Sequence, residues 1–137
     1  MAQQAHINAQ AHPAAHAAAA HAAIAAAAPS NVWVSQDAAS APIPNVQQST
    51  PGGNHLYWLN VNPGKTVHSL QFIVTFKPGS PLSSQDQLFT FPGGYGGITT
   101  TPFGVPYWGG NPIIGPATLT VLADGAPVGS YNFNVTT

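Results

Sequence analysis

Apolar and polar residues alternate most regularly between Val67 and Phe76. Successive side chains of a β-strand point to opposite faces of a sheet, so a period of two predicts a half-buried strand. The buried face is predicted to contain Leu70, Phe72, Val74 and Phe76, and the opposite face Gln71, Ile73 and Thr75.

Several shorter segments have the same character. Strands are predicted over 31–35, 55–61 and 87–91, where branched and aromatic residues cluster between turn residues. The last strands are predicted over 117–123 and 131–135, joined through a hairpin turn at Asp124-Gly125. Their buried set is predicted to be Ala117, Leu119, Val121, Ala123, Tyr131, Phe133 and Val135.

Short strands separated by turns, with no helix predicted after residue 30, indicate an all-β domain over 31–137. The segment GPATLTVLADGAPVGSYNFNV at 115–135 resembles the last two strands of bacterial and phage immunoglobulin-like domains, including virion surface modules such as decoration or fibre proteins. The resemblance implies a small antiparallel β-sandwich but no specific activity. A jelly roll is the alternative, because the predicted loops at 36–54 and 92–116 have room for further short strands.

Residues 1–30 differ sharply from this domain, because they are dominated by alanine with interspersed histidine. A helix is predicted over Ala14–Ala28, with Pro13 in its first turn and Pro29 ending it. Such a short helix is marginal alone, so residues 1–30 are predicted to form a helical or disordered arm. Four histidines argue against a transmembrane span, and the absence of a basic start argues against a signal peptide. The candidate assembly residues of this arm are Pro13, His16, His21 and Ile24.

Charge is scarce, since the chain has two Lys or Arg and three Asp or Glu residues. Typical soluble domains have roughly a quarter charged residues. Two lysines cannot form a patch for phosphates, so neither nucleic acid nor an anionic membrane surface is an expected partner, and no membrane insertion is expected. An uncharged polar surface suits a protein that packs against neighbours, or one exposed outside the cell.

Reactive groups are also scarce. Cysteine is absent, and His12 and His16 have the spacing of a helical metal pair but no carboxylate nearby. The domain itself offers His55, His68 and isolated aspartates, without a nucleophile elbow or a phosphate loop. We therefore expect no catalysis, no cofactor and no metal.

The segment 92–116 is predicted to be a long Gly/Pro/aromatic loop. Its rings, on Tyr95, Phe103, Tyr107 and Trp108, are candidates for a protein interface or for stacking on sugar rings. The alternative is that this loop folds back and buries its rings at the end of the sandwich. Trp33, Tyr57 and Trp58 are predicted to pack in the core or against the sheets.

The preferred functional hypothesis is a structural subunit of a symmetric homo-oligomeric assembly, such as a phage capsid decoration or fibre protein or a surface filament subunit. It places the protein on a virion or extracellular surface and assigns assembly to the arm. A carbohydrate-binding or adhesive module that uses the 92–116 loop is the main alternative. A secreted domain with a cleaved leader is the third.

Overall fold

A computed structural model describes residues 5–9 and 31–137, which form nine strands and no helix. The strands are β1 (Ala5–Ala9), β2 (Val32–Ser35), β3 (Asn45–Gln47), β4 (Tyr57–Val61), β5 (Val67–Thr75), β6 (Ser84–Tyr95), β7 (Thr99–Phe103), β8 (Gly115–Ala123) and β9 (Ala126–Thr136).

These strands form two sheets. One has six strands in the order β1-β6-β5-β8-β9-β3, and the other has three in the order β2-β4-β7. The prediction of an all-β fold is confirmed. The pairing is antiparallel except between β3 and β9, which are parallel.

The core lies between the sheets and follows the predicted alternation. Leu70, Phe72 and Val74 of β5 are at most 1 % exposed, and they share the core with Leu59 and Val61 of β4. Burial of each such side chain stabilises the fold by about 1.5–3 kcal/mol. Edge-to-face ring pairs add specificity within the six-stranded sheet, between Phe72 and Phe89, and between the two sheets, between Phe103 and Phe133.

The predicted hairpin turn is confirmed between β8 and β9. Asp124 and Gly125 have φ values of 50° and 83°, and two successive positive φ values are what a type I′ turn requires. The Asp124 carboxylate also accepts hydrogen bonds from the backbone N–H groups of His68 and Ser69, at 2.8 and 2.9 Å. The turn therefore ties β8 to β5 where the β5–β6 register shifts.

The two predicted loops contain strands that the alternation did not reveal. β3 lies within 36–54, and the end of β6 and all of β7 lie within 92–116, so the prediction of one long loop there is wrong. Proline and glycine obscured β7 and the end of β6. Pro102 sits in edge strand β7, where a missing N–H is tolerated, and 92–94 lies opposite the irregular register of β5.

The N-terminal arm is a strand over Ala5–Ala9, which corrects the prediction of helix or disorder for these five residues. β1 pairs antiparallel with β6, and this partner lies far away in sequence, so composition alone could not indicate it. The predicted helix over 14–28, with Pro13, His16, His21 and Ile24, lies outside the described residues.

Candidate functional site

The edge of the six-stranded sheet is the first candidate surface. β1 lies outside β6, and its register runs from Ala5 opposite Phe89 to Ala9 opposite Gln85. Without β1, the twelve-residue strand β6 would be the sheet edge. An uncovered edge presents unpaired N–H and C=O groups that any incoming strand can pair with. β1 therefore covers a backbone edge of β6 to which another strand could pair.

A slot lies between the sheets beside this edge. Its volume is about 150 Å³. The residues that line this slot include Leu59, Phe72, Val74, Gln85, Gln87 and Phe103. The Thr101 hydroxyl of β7 donates a hydrogen bond of 2.8 Å to Oε1 of Gln87 on β6, which links the two sheets there. The slot is thus largely apolar, with glutamine side chains contributed by the strand that pairs with β1.

The face of the six-stranded sheet that points away from the core carries a buried row, formed by Ile73, Thr120 and Ser130. These residues are directly opposite one another across β5, β8 and β9, and are 1 %, 1 % and 3 % exposed. The hydroxyls of Thr120 and Ser130 have no hydrogen-bond partner in the described part of the chain. A central sheet position that faces solvent would ordinarily let its hydroxyl bond to water. This row is therefore shielded from solvent, although it faces away from the core.

The loop at 36–42 covers part of the outward face of the three-stranded sheet. The Asn60 side chain donates to the Trp33 carbonyl and to the Ser35 hydroxyl, and accepts from the backbone N–H of Ala39. The Trp33 indole N–H donates to the carbonyl of Ser40 at 2.7 Å. The loop at 36–42 is consequently fastened over this sheet, and Asn60 is fully buried.

Beside that loop lies an exposed apolar patch formed by Leu56, Trp58 and Pro102. Leu56 is 57 % exposed, Trp58 is half-buried, and Pro102 is opposite Trp58 in the β4–β7 register. Tyr57 packs in the core as predicted, whereas Trp33 and Trp58 lie on the outward face. The outward position of Trp58 could have been predicted from the sequence, because Trp58 and Asn60 alternate along β4 with the core residues Leu59 and Val61.

The four aromatic residues predicted for a ligand loop do not form one exposed platform. Phe103 is 7 % exposed and packs on Phe133, and Tyr95 is half-buried against Phe91. Trp108 is also half-buried against the core, and Tyr107 is 47 % exposed. Three of the four rings are therefore at least half-buried, and two of them, Tyr95 and Phe103, belong to strands β6 and β7.

The loops at 48–55 and 104–114 are joined through a polar network. Gln48 donates its side-chain amide to Oδ1 of Asn111 at 2.6 Å, and Nδ1 of His55 donates to the Gln48 carbonyl at 2.9 Å. The backbone N–H of Ser49 donates to the carbonyl of Val105, also at 2.9 Å. The ring of His55 is thus engaged within the 48–55 loop, and Gln48 and Ser49 join that loop to 104–114.

Titratable groups are dispersed over the described residues. Within the described ranges, no three His, Asp or Glu side chains are grouped closely enough to hold a metal ion. Hydrogen bonding from the His68 backbone N–H lowers the pKa of Asp124 below its ordinary value. No described helix has the length and apolarity needed to cross a membrane.

No protein-family model and no curated protein matches this chain. Among solved structures, it is similar to the Pseudomonas fluorescens alkylpurine DNA glycosylase AlkC, bound to DNA containing an abasic site analogue. The identity is 13 % and the TM-score 0.41, over 78 % of this chain and 31 % of the glycosylase chain.

The glycosylase is a DNA-bound enzyme, and this finding contradicts two expectations drawn from the sequence: that the chain is not an enzyme and that it has no nucleic-acid partner. Both expectations are withdrawn. A TM-score of 0.41 carries no argument about activity, so no catalytic or DNA-binding role replaces them.

Proposed function

We propose that this protein is a structural subunit of a symmetric assembly at a virion or extracellular surface, such as a phage decoration or fibre protein or a surface filament. The assembly is joined by strand β1. The observation that supports this proposal is the β1–β6 pairing, in which an N-terminal strand completes the edge of a sheet in a domain that begins only at residue 31.

The connection permits exchange of β1 between copies. The connecting segment, residues 10–30, is 21 residues long. An extended chain of this length spans up to about 70 Å, which exceeds the width of a small domain. The same backbone pairing can therefore be made with the β6 edge of a neighbour, as in domain-swapped oligomers.

The surface composition favours such an assembly. With a formal net charge of −1, copies of the chain repel one another weakly. The exposed patch at Leu56, Trp58 and Pro102 offers an additional apolar contact for a neighbour. Close approach between subunits therefore has little electrostatic cost.

We also infer an immunoglobulin-like topology. The order β6-β5-β8-β9 corresponds to strands C′-C-F-G of a variable-type domain, and β2-β4-β7 corresponds to A-B-E. The same order argues against the jelly roll. This fold is a common scaffold for surface modules but does not by itself specify an activity.

Disulfide trapping tests the strand exchange, because the chain has no cysteine of its own. Ala9→Cys chains with one affinity tag are co-expressed with Gln85→Cys chains carrying another, since residues 9 and 85 are paired in register. Mild oxidation should link the two differently tagged chains.

The matched control combines Asn8→Cys with Gln85→Cys. A shift of one residue turns the side chain to the other face, so this pair should link poorly. If a disulfide forms only when both cysteines are in the same chain, β1 belongs to its own domain and the assembly proposal fails.

The exposed patch favours one second function, a carbohydrate-binding or adhesive module. Trp58, flanked by Leu56 and Pro102, offers a flat apolar surface of the kind that stacks on sugar rings. Glycan-array binding that disappears in Trp58→Ala but persists in Tyr107→Ala would support this function. An array without binding would oppose it.

A further inference from the structure

We infer that a groove on the outward face of the six-stranded sheet binds a neutral saccharide. The groove has a volume of about 410 Å³, which lies within the range of small-molecule sites, about 300–1,000 Å³. The residues that line it include Pro44, Pro116, Thr118, Asn132 and Asn134. The groove and the exposed patch around Trp58 lie on different sheets, and the inference does not depend on strand exchange.

The register of β8 and β9 brings four of these side chains together. Thr118 is opposite Asn132, and the next pair along the same face is Pro116 opposite Asn134. Phe133, which lies between the two asparagines, is a core residue. Because side chains alternate along a strand, the asparagines and their partners on β8 point away from the core.

Both asparagine side chains are exposed and have hydrogen-bonding groups to spare. The Thr118 hydroxyl donates to Oδ1 of Asn132 at 2.9 Å, which orients this amide and leaves its N–H groups to donate. Asn134 donates its backbone N–H to the Pro44 carbonyl at 2.9 Å, and its side-chain amide has no partner in the described part of the chain. The same backbone bond holds Pro44 beside the groove.

These groups suit the hydroxyls of a sugar. The two amides are two residues apart on one face, which is about 7 Å along a strand, so they can bind hydroxyls on different carbons of one saccharide. An amide both donates and accepts, as a hydroxyl does, so the two can pair in either sense. Pro44 and Pro116 flank Asn134 and offer C–H surface to the apolar face of a sugar ring.

The lining also favours a ligand without charge. None of the described residues that line the groove is charged. A charged ligand would therefore lose part of its hydration there without gaining a counter-charge, whereas a neutral sugar exchanges hydrogen bonds with water for hydrogen bonds with the amides.

Chemical-shift mapping on the full chain tests this site. Isotope-labelled protein is titrated separately with cellobiose, maltose and lactose up to about 10 mM, which detects a Kd of about 1 mM or tighter. At least one disaccharide should shift the side-chain amide signals of Asn132 and Asn134, together with backbone signals from 116–118 and 132–134. Methyl glucuronide should bind no tighter than methyl glucoside.

Substitutions provide a second measurement. Asn132→Asp and Asn134→Asp keep the shape of the side chain but remove its N–H donors, so each should raise the Kd for the disaccharide by about tenfold or more. Asn54→Asp is the matched control, because it introduces the same charge at an exposed residue outside the groove. Asn54→Asp and Trp58→Ala should each change the Kd by less than about twofold.

The results have distinct meanings. An absence of shifts with all of these sugars would overturn the site. Shifts confined to β4 and β7, or binding that is lost in Trp58→Ala and retained in Asn132→Asp, would also overturn it, because they would place the sugar on the exposed patch instead. Tighter binding of methyl glucuronide than of methyl glucoside would overturn the assignment of a neutral ligand.

Discussion

At the scale of single residues, Asp124 joins a turn to a neighbouring strand. Its backbone has the positive φ of a type I′ turn, and its carboxylate accepts two backbone hydrogen bonds from β5. Hydrogen bonding from the His68 backbone stabilises the charged carboxylate and lowers its pKa in the folded protein, with further support from the charges of His68 and Lys65.

A depressed pKa has a defined consequence for stability. The contribution of Asp124 is present above the pKa of the unfolded chain, about 3.9, and is lost as the pH falls through the lower pKa of the folded state. Asp124→Asn keeps the turn geometry but removes the charge. We expect its melting temperature to lie below that of the parent at pH 7, and the difference to shrink below about pH 4.

Melting curves from pH 2 to pH 7 check this prediction. Asp37→Asn is the control, because the hydrogen bonds observed for Asp37 involve its backbone atoms. A parent and an Asp124→Asn variant with parallel pH profiles would show that the carboxylate contributes nothing to folding.

Asn60 is a second residue on which local structure depends, since its buried amide joins β2, β4 and the 36–42 loop. Asn60→Ala leaves the N–H of Ala39 and the Trp33 carbonyl without this partner. An unpaired buried polar group costs about 1–3 kcal/mol, so unfolding free energy should fall by that amount.

Urea denaturation measures the Asn60 effect, and limited proteolysis should show earlier cleavage within 36–42. The exposed Asn54→Ala is the control and should stay within about 0.5 kcal/mol of the parent. Equal losses in the two variants would contradict the assigned role of Asn60.

At the scale of elements, the segment 92–116 is a strand end, a strand and a loop. Phe103 belongs to the core and Tyr107 to the surface, although both come from the same aromatic stretch. Phe103→Ala should lower the unfolding free energy by about 3–5 kcal/mol, whereas Tyr107→Ala should change it by about 0.5 kcal/mol or less. Denaturant midpoints that reverse this order would show that the ring positions are wrong.

The strands also differ in how well they could be predicted from the sequence. β5 and the β8–β9 hairpin were predictable, because each alternates and the hairpin has an Asp-Gly turn. β7 was hidden by Pro102, and β3 is a three-residue strand whose partner, β9, lies far along the chain. Local patterns contain no information about such distant pairing.

The candidate surfaces were less predictable than the strands. The slot is assembled from β4, β5, β6 and β7, and no single segment indicates it. The outward position of Trp58 was available from its alternation with Leu59, but large aromatic residues favour assignment to a core. β1 could not be predicted at all, because its strand conformation depends on β6.

At the scale of the whole molecule, three features occur together: two β-sheets, a sheet edge covered by an N-terminal strand, and a chain with very few charged residues. The core cluster among the described residues joins side chains from both sheets with others between the strands, such as Leu82, Val105 and Ile113, and all of these come from 32–135. We therefore expect a chain that lacks residues 1–28 to unfold cooperatively but to lose assembly.

The most direct test is the molar mass in solution of the full chain and of the 29–137 chain, by size-exclusion chromatography with light scattering over a range of concentrations. We expect the full chain to have a whole-number multiple of the single-chain mass, and the truncated chain, still folded by circular dichroism, to have the mass of one chain. A full chain that is monomeric throughout, or a truncated chain that forms the same oligomer, would contradict assembly through the N-terminal strand.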